Sequence, residues 1–338
     1  MATPAHAPVV IFYSKPAANN ISQNLENSLS KVLASYYPFA GRLIMDNKCS
    51  YVDFNDIGAE YLNVRVSSPM SEILNHATDL AFPQDLPWST TTSSSNWSLL
   101  VVQLSHFDCG GIALDFKPSP QFDVDCFFPL MDDPPVHVKP NINVSEHRQC
   151  VTRTYHFSSS SLDRLKDTVS MNSEVQNPTR VEVATALIHK CGVAASMENN
   201  SGVFKPSLSL HLMNLRPPLP LNTIGNGAHF FSAIAATEDE IQVPHFVAQL
   251  RKAKQYLRDQ LTLHSLVEIK LAVAAGANIL DMKKYEFYLC SSLCNLGSYK
   301  ADFGWGSPIK VTLATNPMKN SFIFLDNPSG DGINALII

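Results

Sequence analysis

Through "NISQNLENSLSKVLASYYPFAGRL", Ile21, Leu25, Leu29, Val32, Leu33 and Tyr36 recur at three- and four-residue spacing, and Pro38 ends the run. That period places one apolar stripe along a core-packed helix. "VDFNDIGAEYLNVRV" and "WSLLVVQLSHF" change the rhythm: they are rich in β-branched and aromatic residues and are bounded by Asn, Asp, Gly or Ser, as strands are. "CGGIALDF" continues as a third apolar strand, but Lys117, Pro118, Ser119 and Pro120 turn it abruptly into a polar, proline-broken loop. Between Met131 and Cys150 the sequence is proline-rich, polar and without apolar period, as an exposed connector reads.

Beyond the connector the α/β texture returns. "CVTRTYHF" predicts a strand, and a serine-capped helix follows from about Ser161. In "TRVEVATALIHKC", Thr179 and Glu182 have capping-box spacing ahead of an apolar run. "PHFVAQLRKAKQYLRDQL" places Val247, Leu250, Leu257 and Leu261 on one helical face, with Arg251, Lys252, Lys254 and Arg258 mostly on the other. That basic face reads as solvated, with an anionic ligand such as a nucleotide phosphate as the sharper alternative.

At 338 residues the chain exceeds what one core usually fills, so two α/β domains are expected: residues 1–133 and 151–338, with 134–150 as linker. Charged residues are only 16% of the composition and apolar ones 45%, which implies large internal surfaces. A net charge of −5 without a Lys/Arg cluster argues against a nucleic-acid partner. The start, "MATPAHAPVVIFYSKP", lacks the basic and apolar regions of a secretory signal, and no run reaches the roughly 18 residues of a membrane span. Seven scattered cysteines fit reduced thiols, so a cytoplasmic location is expected. Cys290 and Cys294 could form half a zinc site, but no second Cys/His pair accompanies them, and no metal is expected.

No nucleophile elbow, phosphate loop, dinucleotide fingerprint or zinc-protease motif occurs. The distinctive stretch is "DFGWG", Asp302, Phe303, Gly304, Trp305 and Gly306, where two glycines flank a tryptophan and an aspartate heads the turn. With "YYPFAGRL" (Tyr36 to Leu43), "FDCGGIAL" (Phe107 to Leu114), "NPTRVEVATALIHKC" (Asn177 to Cys191), "NLRPPLPLNTIGN" (Asn214 to Asn226) and "SGDGINAL" (Ser329 to Leu336), it makes a specific set. Through these motifs nearly the whole chain resembles the plant BAHD acyl-CoA-dependent acyltransferases, in particular the alkaloid and alcohol acetyltransferase branch.

The resemblance implies two chloramphenicol-acetyltransferase-like α/β domains with a channel between them, in a cytoplasmic monomer of plant specialised metabolism. It implies an acyl-CoA co-substrate, acetyl-CoA by branch, a small-molecule alcohol acceptor and no bound cofactor. In the family a histidine of an H-x-x-x-D motif takes the acceptor's proton, a task suited to a neutral imidazole. The aspartate of that motif pairs with an arginine, for which Arg216 is the candidate here, and DFGWG is mainly structural.

In the family "CGGIAL" leads through a strand end to Ser-His-x-x-x-Asp, a helix and a variable loop before a "P-x-F-D…FPP" segment. Here "PSPQFDVDCFFPL" (Pro118 to Leu130) follows Phe116 almost at once. An internal deletion near 116–118 therefore leaves the first domain incomplete and removes the catalytic histidine. The C-terminal end also reads as truncated. His106, two residues before Asp108 on one strand face, is the surrogate base to consider. His189 and His211 read as structural. Loss of the motif's aspartate would deprive Arg216 of its partner, with Asp123 or Asp125 as replacements. An impaired acyltransferase, a coenzyme-A-binding pseudoenzyme and a truncated gene product all remain open on the sequence.

Overall fold

The computed structural model describes residues 9–16, 20–45, 50–75, 96–118, 151–216, 219, 227–263, 284–313 and 319–338. The chain divides into two compact units, one of residues 1–121 with 295–316, the other of 122–294 with 317–338. The predicted connector, the "PSPQFD" segment after Pro118, and with it Asp123 and Asp125, all lie outside the described residues. The division is not contiguous, because residues 295–316, expected in the second domain, belong to the first unit.

The first unit is built on strands β1 (Val9–Tyr13), β4 (Glu60–Val66), β6 (Leu100–Phe107), β7 (Ile112–Pro118) and β12 (Lys310–Leu313), in the order β12-β1-β7-β6-β4. β7 is therefore the central strand, antiparallel to both neighbours, while β4 and β6 run parallel. A smaller sheet, β3-β2-β5, joins β2 (Arg42–Met45), β3 (Ser50–Asp53) and β5 (Asn96–Ser98). The alternation of β1 serves both faces of the main sheet. Ile11 and Tyr13 pack with Leu25, Val102, Ile112 and Leu114, and Val10 and Phe12 with Met70, Phe107 and Ala113.

Helix α1 (Ile21–Ser35) forms where the apolar period predicts it. Only its first half seats against the sheet, through Ile21, Leu25 and Leu29; Val32 and Tyr36 are exposed. The predicted stripe is thus longer than the surface that covers it. A short helix, α2 (Met70–Asn75), closes the opposite face.

The second unit carries a six-stranded sheet, β10-β9-β11-β13-β14-β8. Its strands are β8 (Arg153–Phe157), β9 (Ser207–Asn214), β10 (Ala228–Ala235), β11 (Glu286–Ser292), β13 (Ser321–Asp326) and β14 (Ile333–Ile337). Helices α3 (Ser159–Asn172), α4 (Arg180–Asn199) and α5 (Val243–Leu263) supply Leu162, Val169, Val183, Phe246 and Val247 to its core. Helix α3 begins two residues earlier than expected because Ser158 is the cap, accepting the Ser161 N–H. The predicted capping box is present: the Thr179 hydroxyl accepts from the Glu182 N–H, and the Glu182 carboxylate accepts from the Thr179 N–H.

On α5 the structure differs from the expected solvated face in two places, the first being Arg251, which pairs with Glu182 of α4. Lys254 lies half-buried between Leu250 and Leu257, and burial pushes its amine below the usual lysine range. Each of the two units thus encloses its own apolar core.

Candidate functional site

The end of β7 is where chemistry is expected. Among the described residues, Phe116 is held on both sides, opposite Val9 of β1 and Val102 of β6, and Pro118 on one side only, opposite Leu100 of β6. The chain places no histidine in β7.

His106 does not stand in for it. In the antiparallel pair it lies opposite Ile112, at the other end of the strands from the Leu100–Pro118 pair. Six residues of strand separate the two ends, roughly 20 Å. Nor does Asp108 orient it. β6 stops at Phe107, Asp108 opens the tight turn into β7, and its carboxylate accepts from Arg65 at 3.4 Å. His106, Arg65, Asp108 and Asn63 line a shallow open groove at the carboxyl ends of β4 and β6.

The DFGWG loop is a clamp on β1. Asp302, fully exposed, accepts at Oδ1 from the backbone N–H of Gly304 at 2.8 Å and of Gly306 at 3.0 Å. Those donors, Gly304 first, hold its carboxyl below the usual aspartate range. The turn presents Trp305 edge-on to Tyr13 at 5.9 Å between centroids, with Phe303 beside it at 6.3 Å. The Tyr13 hydroxyl donates to the Ala301 carbonyl at 2.7 Å. Burial, with Asp302 adding to it, pushes the Tyr13 phenol up, so it stays a neutral donor. The sequence reading missed Tyr13, whose signal is its place in the apolar alternation of β1.

Arg216 is occupied within its own hairpin. Its guanidinium donates to the Gly227 carbonyl at 3.1 Å and to Asn214 Oδ1 at 3.3 Å. Gly227 is needed there, since a Cβ would lie 2.4 Å from Nη1 of Arg216. Both acceptors are neutral oxygens, and Asp123 and Asp125, the expected replacements for its carboxylate partner, lie outside the described residues. Among the described residues no group of three or more His, Cys, Asp or Glu side chains converges as a metal site would. Cys290 is buried and meets Thr185 Oγ1 at 3.6 Å. No described helix is long and apolar enough to cross a membrane.

Known proteins share this architecture. The model of the Transferase family matches residues 1–119 and 118–338, so its two stretches meet at the end of β7. Acylsugar acyltransferase 3 of Solanum lycopersicum is 50% identical over 378 residues, a span covering 99% of this chain and 85% of that protein. Among solved structures, vinorine synthase superposes with a TM-score of 0.74 at 26% identity, covering 98% of this chain and 86% of that one. TRI101 of F. graminearum, complexed with ethyl coenzyme A, gives 0.71 at 14% identity over 98% and 90%. At that identity the likeness speaks for the fold.

Proposed function

Because the chain belongs to the Transferase family, the BAHD acyltransferases, we propose that it descends from an enzyme moving an acyl group from a coenzyme A thioester to a hydroxyl of a plant specialised metabolite, and that in this chain the transfer is impaired. The observation that carries the second clause is the break in the family match at residues 118–119, on the last residues of central strand β7. The 378-residue span of the acylsugar acyltransferase match supports it, since it exceeds the 338 residues of the chain and so includes positions with no counterpart here.

The missing function is the general base. Acceptor oxygen must lose a proton as it attacks the thioester carbonyl, and without a positioned imidazole that step loses typically 10²- to 10⁴-fold in rate. His106 lies at the wrong end of its strand to supply it. At 50% identity the acylsugar acyltransferase supports a sugar hydroxyl as acceptor, ahead of an alkaloid one, and acetyl-CoA remains the proposed donor. The described cysteines are all free thiols, which suits the cytoplasm.

The test is purified protein with acetyl-CoA and longer acyl-CoA donors against partially acylated sugars and an alcohol panel, alongside calorimetric titration with coenzyme A. Turnover at ordinary enzyme rates overturns the impairment. Binding without turnover is expected if the second unit retains its share of the ligand surface, and that outcome is the pseudoenzyme reading.

A further inference from the structure

Beneath α4 and α5 two imidazoles are sealed into the core of the second unit, and neither belongs to the site above. His189 of α4 is fully buried, lies flat on Phe246 of α5 with ring centroids 3.9 Å apart and planes within 5°, and meets Tyr288 edge-on at 4.9 Å. Its Nε2 shares a 3.0 Å hydrogen bond with Ser207 Oγ of β9, and its Nδ1 is buried with no hydrogen-bond partner among the described residues. Four residues along β9, His211 stacks on Phe231 of β10 at 5.0 Å and shares a 2.8 Å hydrogen bond with Ser209.

Among the described residues the groups that face the pair are few. From α5, Lys254 repels a charge on His211, as His189 does from α4. On α4, the Glu182 carboxylate is occupied by Arg251 and the Thr179 N–H. From β11, Glu286 stands opposite Ser207 and is hydrogen-bonded to Tyr288, its Oε2 being buried without a hydrogen-bond partner among the described residues, and Cys290 stands opposite His211 in the β9–β11 register. On β10, Phe231 stands opposite His211, and the titratable group on the same face is His229, opposite Met213. Among the described hydrogen bonds no carboxylate reaches either ring.

We propose that His189 and His211 form a proton-operated latch, which keeps α4 and α5 seated on β9, β10 and β11 while both rings are neutral and releases them when the rings take up protons. Burial pushes His189 down to about 4 and His211 to about 3. An unfolded histidine titrates near 6.5, so the open state binds more protons below that pH. The latch is fully closed above about pH 6.5 and weakens as pH falls from there toward the folded values.

The experiment is thermal unfolding of the full chain from pH 8 to pH 5, for wild type and for His189→Gln/His211→Gln, with peptide mapping of Cys290 labelled by 4,4′-dithiodipyridine. The wild-type Tm is expected to fall by roughly 10 °C between pH 7 and pH 5, and the double variant by less than half as much. Equal pH slopes overturn the proposal. Should the double variant not fold, wild-type labelling decides: Cys290, buried beside His211, should react at least about tenfold faster at pH 5 than at pH 7, reversibly on return to neutral pH. A labelling rate flat across that range overturns the latch.

Discussion

Arg251 Nη2 donates to Glu182 Oε2 at 2.7 Å, and that same oxygen accepts the Thr179 N–H at 2.8 Å. The N-cap of α4 and a basic residue of α5 are thereby joined through one carboxylate. Arg251 also donates to the carbonyls of Gln176 at 2.7 Å and Asn177 at 3.2 Å, so its charge ties down the loop entering α4.

Removing one side of this node should cost more than removing a surface pair. The Glu182 side chain is 11% exposed and that of Arg251 36%. Arg251→Ala is therefore expected to destabilise the protein by about 2–3 kcal/mol, below the full cost of orphaning a buried charge because the guanidinium is partly solvated. Burial alone would raise the Glu182 carboxyl, but the hydrogen bonds from Arg251 and Thr179 outweigh it and hold it below the usual glutamate range. A depressed folded value means stability that is present above about pH 4.3 and lost as pH falls through the folded value. Urea unfolding at pH 7 and at pH 3 checks both parts: the difference between wild type and Arg251→Ala should shrink in acid.

Much of this node was legible in advance. Thr179 and Glu182 declare a capping box by spacing, and local hydrogen bonding needs no distant partner. What could not be read was the partner helix: Arg251 looked like one member of a solvated basic face, because periodicity gives a direction around a helix without saying what sits there. Lys254 fared likewise. In the first unit the strands were legible from alternation, whereas the transfer of residues 295–316 to that sheet was not, since β12 pairing with β1 is a contact across some 300 residues of chain. His106 and Asp108 looked like partners on one strand face until the turn at Asp108 carried the carboxylate to Arg65.

Gly332 should not tolerate a side chain. Its φ is +69°, and a Cβ there would stand 1.8 Å from the Phe157 carbonyl oxygen, in the turn where the Gly332 N–H also donates to Ser159 Oγ at 2.8 Å. Gly332→Ala is expected to cost about 2–3 kcal/mol, combining left-handed strain with separation of β14 from β8. A denaturant midpoint within error of wild type would show that the hairpin can shift freely.

The DFGWG loop should behave as structure. Asp302→Ala removes the acceptor of two glycine N–H groups, freeing Trp305 from its place against Tyr13, whereas Asp302→Asn keeps an acceptor oxygen. The alanine variant should lower the Tm and red-shift the tryptophan emission, and the asparagine variant should restore most of both. Unchanged melting with altered coenzyme A affinity would instead make the loop a ligand-binding element.

The most demanding prediction concerns the end of β7. If the chain lacks only a base and the helix that carries it, then the residues of acylsugar acyltransferase 3 that have no counterpart around positions 117–119, inserted there, should confer acyl transfer. β7 offers the right socket, because Phe116 is already held by both β1 and β6 and Pro118 by β6, so an inserted segment would start from a paired strand. The gain expected from a positioned imidazole is about 10²- to 10⁴-fold, and changing the inserted histidine to alanine should remove it while leaving coenzyme A binding in place. A folded chimera that binds coenzyme A with no gain in turnover would mean that the deficit lies elsewhere in the chain.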